Sequence, residues 1–487
     1  MATEAGAQVL REGGNAVDAA VAADAVLCVV YPQMTSVGGD LMAIVWPAGG
    51  HRPEGLIGCG RSGRLATIEA VRERGHETMP QRGVLTVTVP GTVEAWGRLI
   101  ERFGSWGLDP VLEPAAALAE HGFEVTEHLA GYLERGAAWL AAEPEAAKLF
   151  PPVAAGGRLR NPDLAAGLRS IGRGGFQVFY RGELARAIAT AIEKRGGLVT
   201  AADLGSHRSE WVEPLALDYH GITVYNLPPP TQGLVALGLL ARLQRLSGAG
   251  LEPGPAFARA LRSARDACYV LRDRFITDPA FSSAPSGPFL DPQHDEGGGG
   301  EAIPEGDTIY LCAADEQGNL VSLIQSVAND FGSGVVAEGT GILLQNRGSY
   351  FSLDPRHVNR LEPRKRTMHT LIPALALRES RPWAAFGSMG ADGQPQIQAQ
   401  LAVNLIDRGL DPAEAVAAPR IRVKAGGGAI SVEAGYPGAG ELGTGLPEEL
   451  LPDRHRFFGH AQALVVDGPR AWRAGADPRA DGSVANV

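Results

Sequence analysis

The chain has 487 residues, enough for a core several layers deep, and its 45% apolar and 20% charged content places it among globular rather than disordered proteins. A net charge of −11 argues against a nucleic-acid partner, because such binding needs clustered cations that release counterions. The cysteines, Cys28, Cys59, Cys268 and Cys312, have no CxxC spacing and read as buried small hydrophobes rather than a disulfide framework. The most apolar stretch, 16–31, carries Asp18 and Asp24 and falls short of the roughly 20 residues a membrane span needs, so no membrane partner is expected. The opening MATEAGAQVLREGGNA has no apolar signal core, which makes a cytoplasmic location the expectation.

In chain order, the pattern predicts a helix over 3–12 ended by Gly13-Gly14, then a buried helix capped by Asn15 and stopped by Pro32. SVGGDLMAIVW places paired glycines before a strand at 41–46, where bare amides can turn sharply or face a ligand. VLTVTVP (84–90) reads as a strand, and 91–104 and 110–122 as helices, with helices dominating to about Gly197 and Thr200 capping another. VYNLPPPTQGLVALGLLARLQRL gives a strand, a proline turn and an amphipathic helix ending near Ser247. Residues 282–307 turn abruptly rich in glycine and proline and form the clearest linker. Strands follow at 308–315 and 320–327, the second apolar at nearly every position and therefore covered on both faces. Further strands are expected at 341–345, 372–377 and 383–386, and a helix at 396–408. The outcome is mixed α and β with stacked sheets.

Most chemical signatures are missing. GCGRSG (58–63) matches a dinucleotide-binding pattern, but without the surrounding alternation of strands and helices it reads as chance in a chain with 64 glycines. The histidines have no metal-ligand spacing, and neither a GxSxG elbow nor a P-loop is present, so no metal and no cofactor are expected. Thr308 stands out for its place, directly after the linker and opening a buried strand. Read alone it is an ordinary strand threonine. If the Asp307–Thr308 bond is cut, it becomes a new N-terminus whose hydroxyl is the nucleophile and whose α-amine is the base. That amine, with a pKa near 7.7, is about one-sixth unprotonated at pH 7, so no histidine is required.

Several long segments, in order and in spacing, resemble the γ-glutamyltranspeptidase family: GGNAVDAAVAADAVLCVVYPQMTSVGGDLMAIVW (13–46), VPGTVEAWGRL (89–99), NLPPPTQG (226–233), GDTIYLCAADEQGNLVSLIQS (306–326), NDFGSGVVAEGTGILLQNRGSYFSLDP (329–355), FGSMGADGQPQ (386–396) and GADPRADG (475–482). The resemblance implies an α+β fold, the four-layer αββα sandwich of an N-terminal-nucleophile hydrolase. It implies self-cleavage into a large subunit, 1–307, and a small subunit, 308–487, which together form one catalytic fold. Thr308 matches the nucleophile and Asp307 the residue before the cut. Ser326 matches a hydroxyl residue that contacts the nucleophile, by accepting from the α-amine or donating to Oγ. Gly390 and Ala391 match the residues whose amides form the oxyanion hole. Family members usually have a strand before the segment matching Met1 to Gly6, so the start read here is expected to lie inside a longer product.

The head-group positions depart from the family. The residues that grip an α-amine fall at Arg347 and Tyr350, and a nearby asparagine at Ala328. The two serines that bind an α-carboxylate fall at His369 and Thr370, and a carboxylate-binding arginine at Ile68. The second of two consecutive threonines is Ile309. Only LDPRHVNRLEPR separates Phe351-Ser352 from Lys365-Arg366, too short for a lid, so an open pocket is expected. A guanidinium at Arg347 repels an ammonium. By family, the expected activity is transfer or hydrolysis of a γ-glutamyl amide of the glutathione type, with water or an amine as acceptor. The alternative is an acylase for glutaryl or related amides lacking the α-amine, as in cephalosporin acylases; a third possibility is an unprocessed, non-catalytic homologue.

Overall fold

The computed structural model describes residues 1–294, 297–298, 300–303 and 306–487. The strands that position the site are, in chain order, β1 (Asp40–Trp46), β2 (Glu54–Gly58), β3 (Glu210–Val212), β4 (Leu215–Tyr219), β5 (Ile222–Asn226), β6 (Asp307–Ala314), β7 (Leu320–Ala328), β8 (Ala374–Arg378), β9 (Arg381–Ser388), β10 (Ala461–Gly468) and β11 (Ala471–Ala476). They form two sheets, one ordered β3-β2-β1-β7-β6 and the other β11-β10-β9-β8-β5-β4. Each sheet draws strands from both sides of the Asp307–Thr308 bond.

The layering follows from side-chain alternation along the strands. In β1, Leu41, Ala43 and Val45 join a core shared with helices α1 (Ala2–Arg11), α2 (Ala16–Val30), α3 (Thr92–Phe103) and α4 (Leu108–His121). Met42, Ile44 and Trp46 point the other way and meet Leu375 and Leu377 of β8 in a core between the sheets. The alternate residues of β8, Ala374 and Ala376, face a third core with α5 (Gly233–Leu243), α6 (Pro255–Phe275) and α7 (Gln394–Ile406). Three cores between four layers make an αββα sandwich.

Most predicted elements stand within two or three residues of their expected ends. Asn15 caps α2 through a reciprocal box with Asp18. The predicted strand at 84–90 is instead a short 3-10 turn, Val84–Thr86, followed by irregular chain. Its polar groups are used across a junction, where Val89 N–H donates to Arg61 O and the Gln345 side chain donates to Thr88. The strand expected at 341–345 shortens to Ile342–Leu343. The expected amphipathic helix, α5, is buried on nearly every face because β4, β5, α6 and α7 surround it. Loop 58–63 spends its amides inside the fold: Gly60 N–H donates to Asp40, and a Cβ at Gly60 would lie 1.7 Å from Val89 O. β6 is the outer strand of its sheet, and a cavity of about 850 Å³ runs along it, lined by Thr308–Gln317, α1, α2, β10 and β11. Among the described residues no helix is long and apolar enough to cross a membrane.

Candidate active site

The first residues of β6 lie where its pairing with β7 is irregular. Asp307 stands opposite Ala328 and Ile309 opposite Gln325, so Ser326 and Val327 together face Thr308. Such a bulge re-aims side chains. The Ser326 hydroxyl donates to the Asp307 carbonyl oxygen at 2.7 Å and accepts from the Ala328 amide at 2.7 Å. In the uncut chain its partner is therefore the carbonyl of the bond before Thr308, rather than Thr308 itself. Ala328 completes the bulge with a left-handed φ of 79°. Thr308 is 3% exposed and lines the cavity along β6.

Gly390 and Ala391 arrive at the same place from the end of β9. Both have positive φ, 133° and 43°, and the 3-10 turn Ala391–Gly393 leads into α7. Within the described residues neither of their amides donates a hydrogen bond. The turn is held from behind: Gln232 Nε2 donates to Ala391 O at 2.9 Å and to Thr370 O at 3.3 Å, Tyr269 OH donates to Asp392 O, and Arg272 pairs with the Asp392 carboxylate. Gln232 belongs to NLPPPTQG, so that motif clamps the Ala391 turn to the 369–370 segment. Gly306 connects the turn to β6. A Cβ there would meet Ala328 O at 2.6 Å, Tyr350 OH at 3.0 Å and the Ala391 methyl at 3.2 Å. Gly306 thus lies close to Ala328, Tyr350 and Ala391 in the uncut chain.

The remaining head-group positions form a charged cluster. Arg347 is 2% exposed; its Nη1 donates to Thr370 Oγ1 at 3.1 Å, its guanidinium lies over the Tyr350 ring, and its Nε has no partner among the described residues. His369 turns to Asp40. The Leu371 amide donates to Nδ1 at 3.3 Å, which leaves the proton on Nε2, 3.3 Å from Asp40 Oδ2. Burial, then the charges of Arg347 and Arg366, push the His369 pKa well below its ordinary value, so the ring is neutral and its one N–H is spent on Asp40. Burial also raises the Asp40 carboxyl to about 7, against the lowering effect of Arg347 and of the Gly60 and Gly91 amides. Arg366, beneath this group, pairs with Glu210 at 2.8 Å. Ile68 and Ile309 lie in apolar clusters. The residues that motif reading passed over are Asp40, Gln232 and Arg366. The signals were a charge directly after paired glycines, an amide beside a proline turn, and a basic pair after the shortened 353–364 segment.

A threonine near the start of an edge strand in a four-layer αββα sandwich, next to a strand hydroxyl on the carbonyl before it, fits the N-terminal-nucleophile hydrolase class, and the solved neighbours share this architecture. The sequence profile described as Gamma-glutamyltranspeptidase matches residues 2–487, and the chain belongs to that family. Over its full length it is 37% identical to the glutathione hydrolase-like YwrD proenzyme of Bacillus subtilis (strain 168), covering 97% of that protein. It is 36% identical to the oxamate amidohydrolase proenzyme of Klebsiella pneumoniae subsp. pneumoniae, again over the full chain and covering 96% of that protein. The crystal structure of cephalosporin acylase from Bacillus halodurans is similar with a TM-score of 0.92 and 36% identity, over 99% of this chain and 94% of that one.

Proposed function

We propose that this chain is a self-processing amidohydrolase or acyltransferase whose acyl group carries a carboxylate and no α-amine. In maturation, Thr308 Oγ attacks the Asp307 carbonyl carbon, the peptide nitrogen leaves as the new α-amine, and water hydrolyses the resulting ester. Residues 1–307 and 308–487 then remain together, because both sheets need strands of each. The hydrogen bond from Ser326 supports this step, since it points at the oxygen that must become negative. In turnover, Thr308 Oγ takes the acyl group of an amide with the α-amine as base, Gly390 and Ala391 stabilise the oxyanion, and water or an amine releases the acyl group.

The observation that carries the choice of acyl group is Arg347, a buried cation whose Nε–H has no partner among the described residues, where an ammonium-binding residue stands in the family resemblance. It complements a carboxylate and opposes an ammonium. Oxamate, named in the Klebsiella relative, is an amide of this kind, bearing a carboxylate and no α-amine. The name of the Bacillus subtilis relative favours the second reading, a γ-glutamyl amide of the glutathione type. Anilide kinetics separate the two. The expected result is higher kcat/KM for glutaryl or oxalyl anilide than for γ-glutamyl anilide. Arg347→Gln should lower it about ten- to hundredfold, the worth of one charged hydrogen bond, chiefly through KM. Faster turnover of γ-glutamyl anilide by the native enzyme would overturn the assignment.

A further inference from the structure

We propose that Asp40 is a specificity-determining residue, the site's own counter-ion to Arg347, and that a substrate carboxylate takes over that role while Asp40 takes up a proton from solvent. The inference rests on the carboxylate reading of Arg347 and adds to it the partner that makes the cation tolerable when the site is empty.

The geometry starts from β1. Asp40 is its first residue, paired in register with Ser326, and so lies one strand behind the hydroxyl that holds the Asp307 carbonyl. The carboxylate is 1% exposed and accepts from Gly60 N–H at 3.3 Å and from the neutral His369 ring. Among the described residues no Lys or Arg nitrogen comes within 4 Å of it. The two residues that organise the cluster are adjacent in sequence: His369 reaches Asp40, and Thr370 reaches Arg347. One backbone segment therefore ties the buried anion to the buried cation without letting them touch.

A buried cation without a counter-charge is costly, and an anion held at a distance reduces that cost without closing the guanidinium in a direct ion pair. Glu210 does not supply the balance, since it pairs with Arg366 and Arg61. The groups that face Asp40 are Arg347, Arg366, His369, the Gly60 and Gly91 amides, the Cys59 thiol and the Tyr180 phenol. Of these only the arginines carry charge near neutrality: His369 is held neutral, and burial raises both the Cys59 thiol, to about 12, and the Tyr180 phenol. When a substrate carboxylate reaches Arg347, two anions compete for one cation, and the one that can protonate is Asp40. Its carboxyl already titrates at about 7, against the acidic range of a solvated substrate carboxylate.

The sign follows from linkage. Binding that takes up a proton is favoured at low pH: affinity is flat below the Asp40 pKa and falls up to about tenfold per pH unit above it. The test uses the mature, two-fragment enzyme with glutarate as a competitive inhibitor between pH 5.5 and 8.5. The expected native result is an inhibition constant that is flat below pH 7 and rises toward tenfold per unit above it, with a flat profile in Asp40→Asn. The Thr308 α-amine also titrates in this range, and the variant separates the two groups, because the amine is unchanged in it. Asparagine must turn an amide hydrogen toward Gly60 N–H or the His369 ring, so a second measurement needs no variant. Calorimetry of native enzyme in buffers of different ionisation enthalpy should show proton uptake on glutarate binding, about half a proton at pH 7 and close to one at pH 8.5. Glutarate binding without proton uptake, or with the same slope in Asp40→Asn, overturns the role of Asp40 and leaves the carboxylate reading standing. Failure of glutarate to compete at any pH, with γ-glutamyl amides turned over, overturns both.

Discussion

The two halves of the site are built from different materials. Around Thr308 the groups are neutral and largely backbone: the Asp307 carbonyl, the Ser326 hydroxyl, and the amides of Gly390 and Ala391. Around Arg347 they are charged: Arg347, Arg366 and Asp40 are buried, Glu210 reaches Arg366 from the exposed side, and His369 and Thr370 thread between them. Neutral dipoles fixed in a bulge and a turn suit an oxygen that carries charge only fleetingly, because they need no counter-ion at rest. Fixed charges suit the choice of a partner, because they penalise the wrong sign in every state. One half should therefore govern rate and the other affinity, and substitutions on each side should keep to that division.

The largest effect expected is from Thr308→Ala. It should leave one band near 51 kDa on a denaturing gel in place of two fragments. Turnover should fall on the order of 10⁶-fold, as when another covalent nucleophile is removed. Two fragments from this variant would move the cleavage, and with it the neutral half, away from Thr308. Next is Ser326→Ala. The hydrogen bond to the scissile carbonyl is lost, and self-cleavage followed over time should slow by about 10²–10³-fold, the usual effect of losing one donor to a developing oxyanion. The variant also leaves the buried Ala328 amide without its acceptor, a cost of about 1–3 kcal/mol in stability. Comparing the cleavage rate with the unfolding midpoint separates these two roles. A change in KM for anionic amides with no change in cleavage would place Ser326 in the charged half instead.

The same division explains what could be read before the structure. The neutral half depends on chain-local features, a threonine after a linker and a glycine turn after a strand, so its residues announce themselves in contiguous motifs. The stacking of sheets was legible from β7, apolar at nearly every position and so needing cover on both faces. The charged half is assembled from four separate segments, around residues 40, 210, 347 and 366–370, and nothing local says that Asp40 and His369 will meet. His369 was legible as a possible donor to substrate; only its contacts show that the donor faces Asp40. The stretch at 84–90 misled because alternating Val and Thr suits a strand, whereas its hydrogen bonds go to Arg61 and Gln345 across a junction. The hairpin of β10 and β11, which completes the second sheet, has the alternation of a strand pair in QALVVDGPRAWRAG and could have been found from it.

The smallest effect expected tests whether the neutral half depends on backbone alone. Ala391 holds φ of 43°, a region that costs an alanine about 1–2 kcal/mol, and it sits where the family resemblance places a glycine. Ala391→Gly relieves that strain and gives back part of the gain as unfolded-chain entropy, about 0.5–1 kcal/mol, for a net stabilisation of up to about 1 kcal/mol. The turn itself is fixed by Gln232, Tyr269 and Arg272 through the Ala391 carbonyl and Asp392, none of which involves the methyl group. The amide should therefore keep its direction, and kcat should stay within about twofold while the unfolding temperature rises by about 1–2 °C. A fall in kcat of tenfold or more, with stability unchanged or higher, would mean that the Ala391 methyl, packed beside Gly306 in the uncut chain, also positions the reacting groups, and the neutral half would then owe its geometry to a side chain after all.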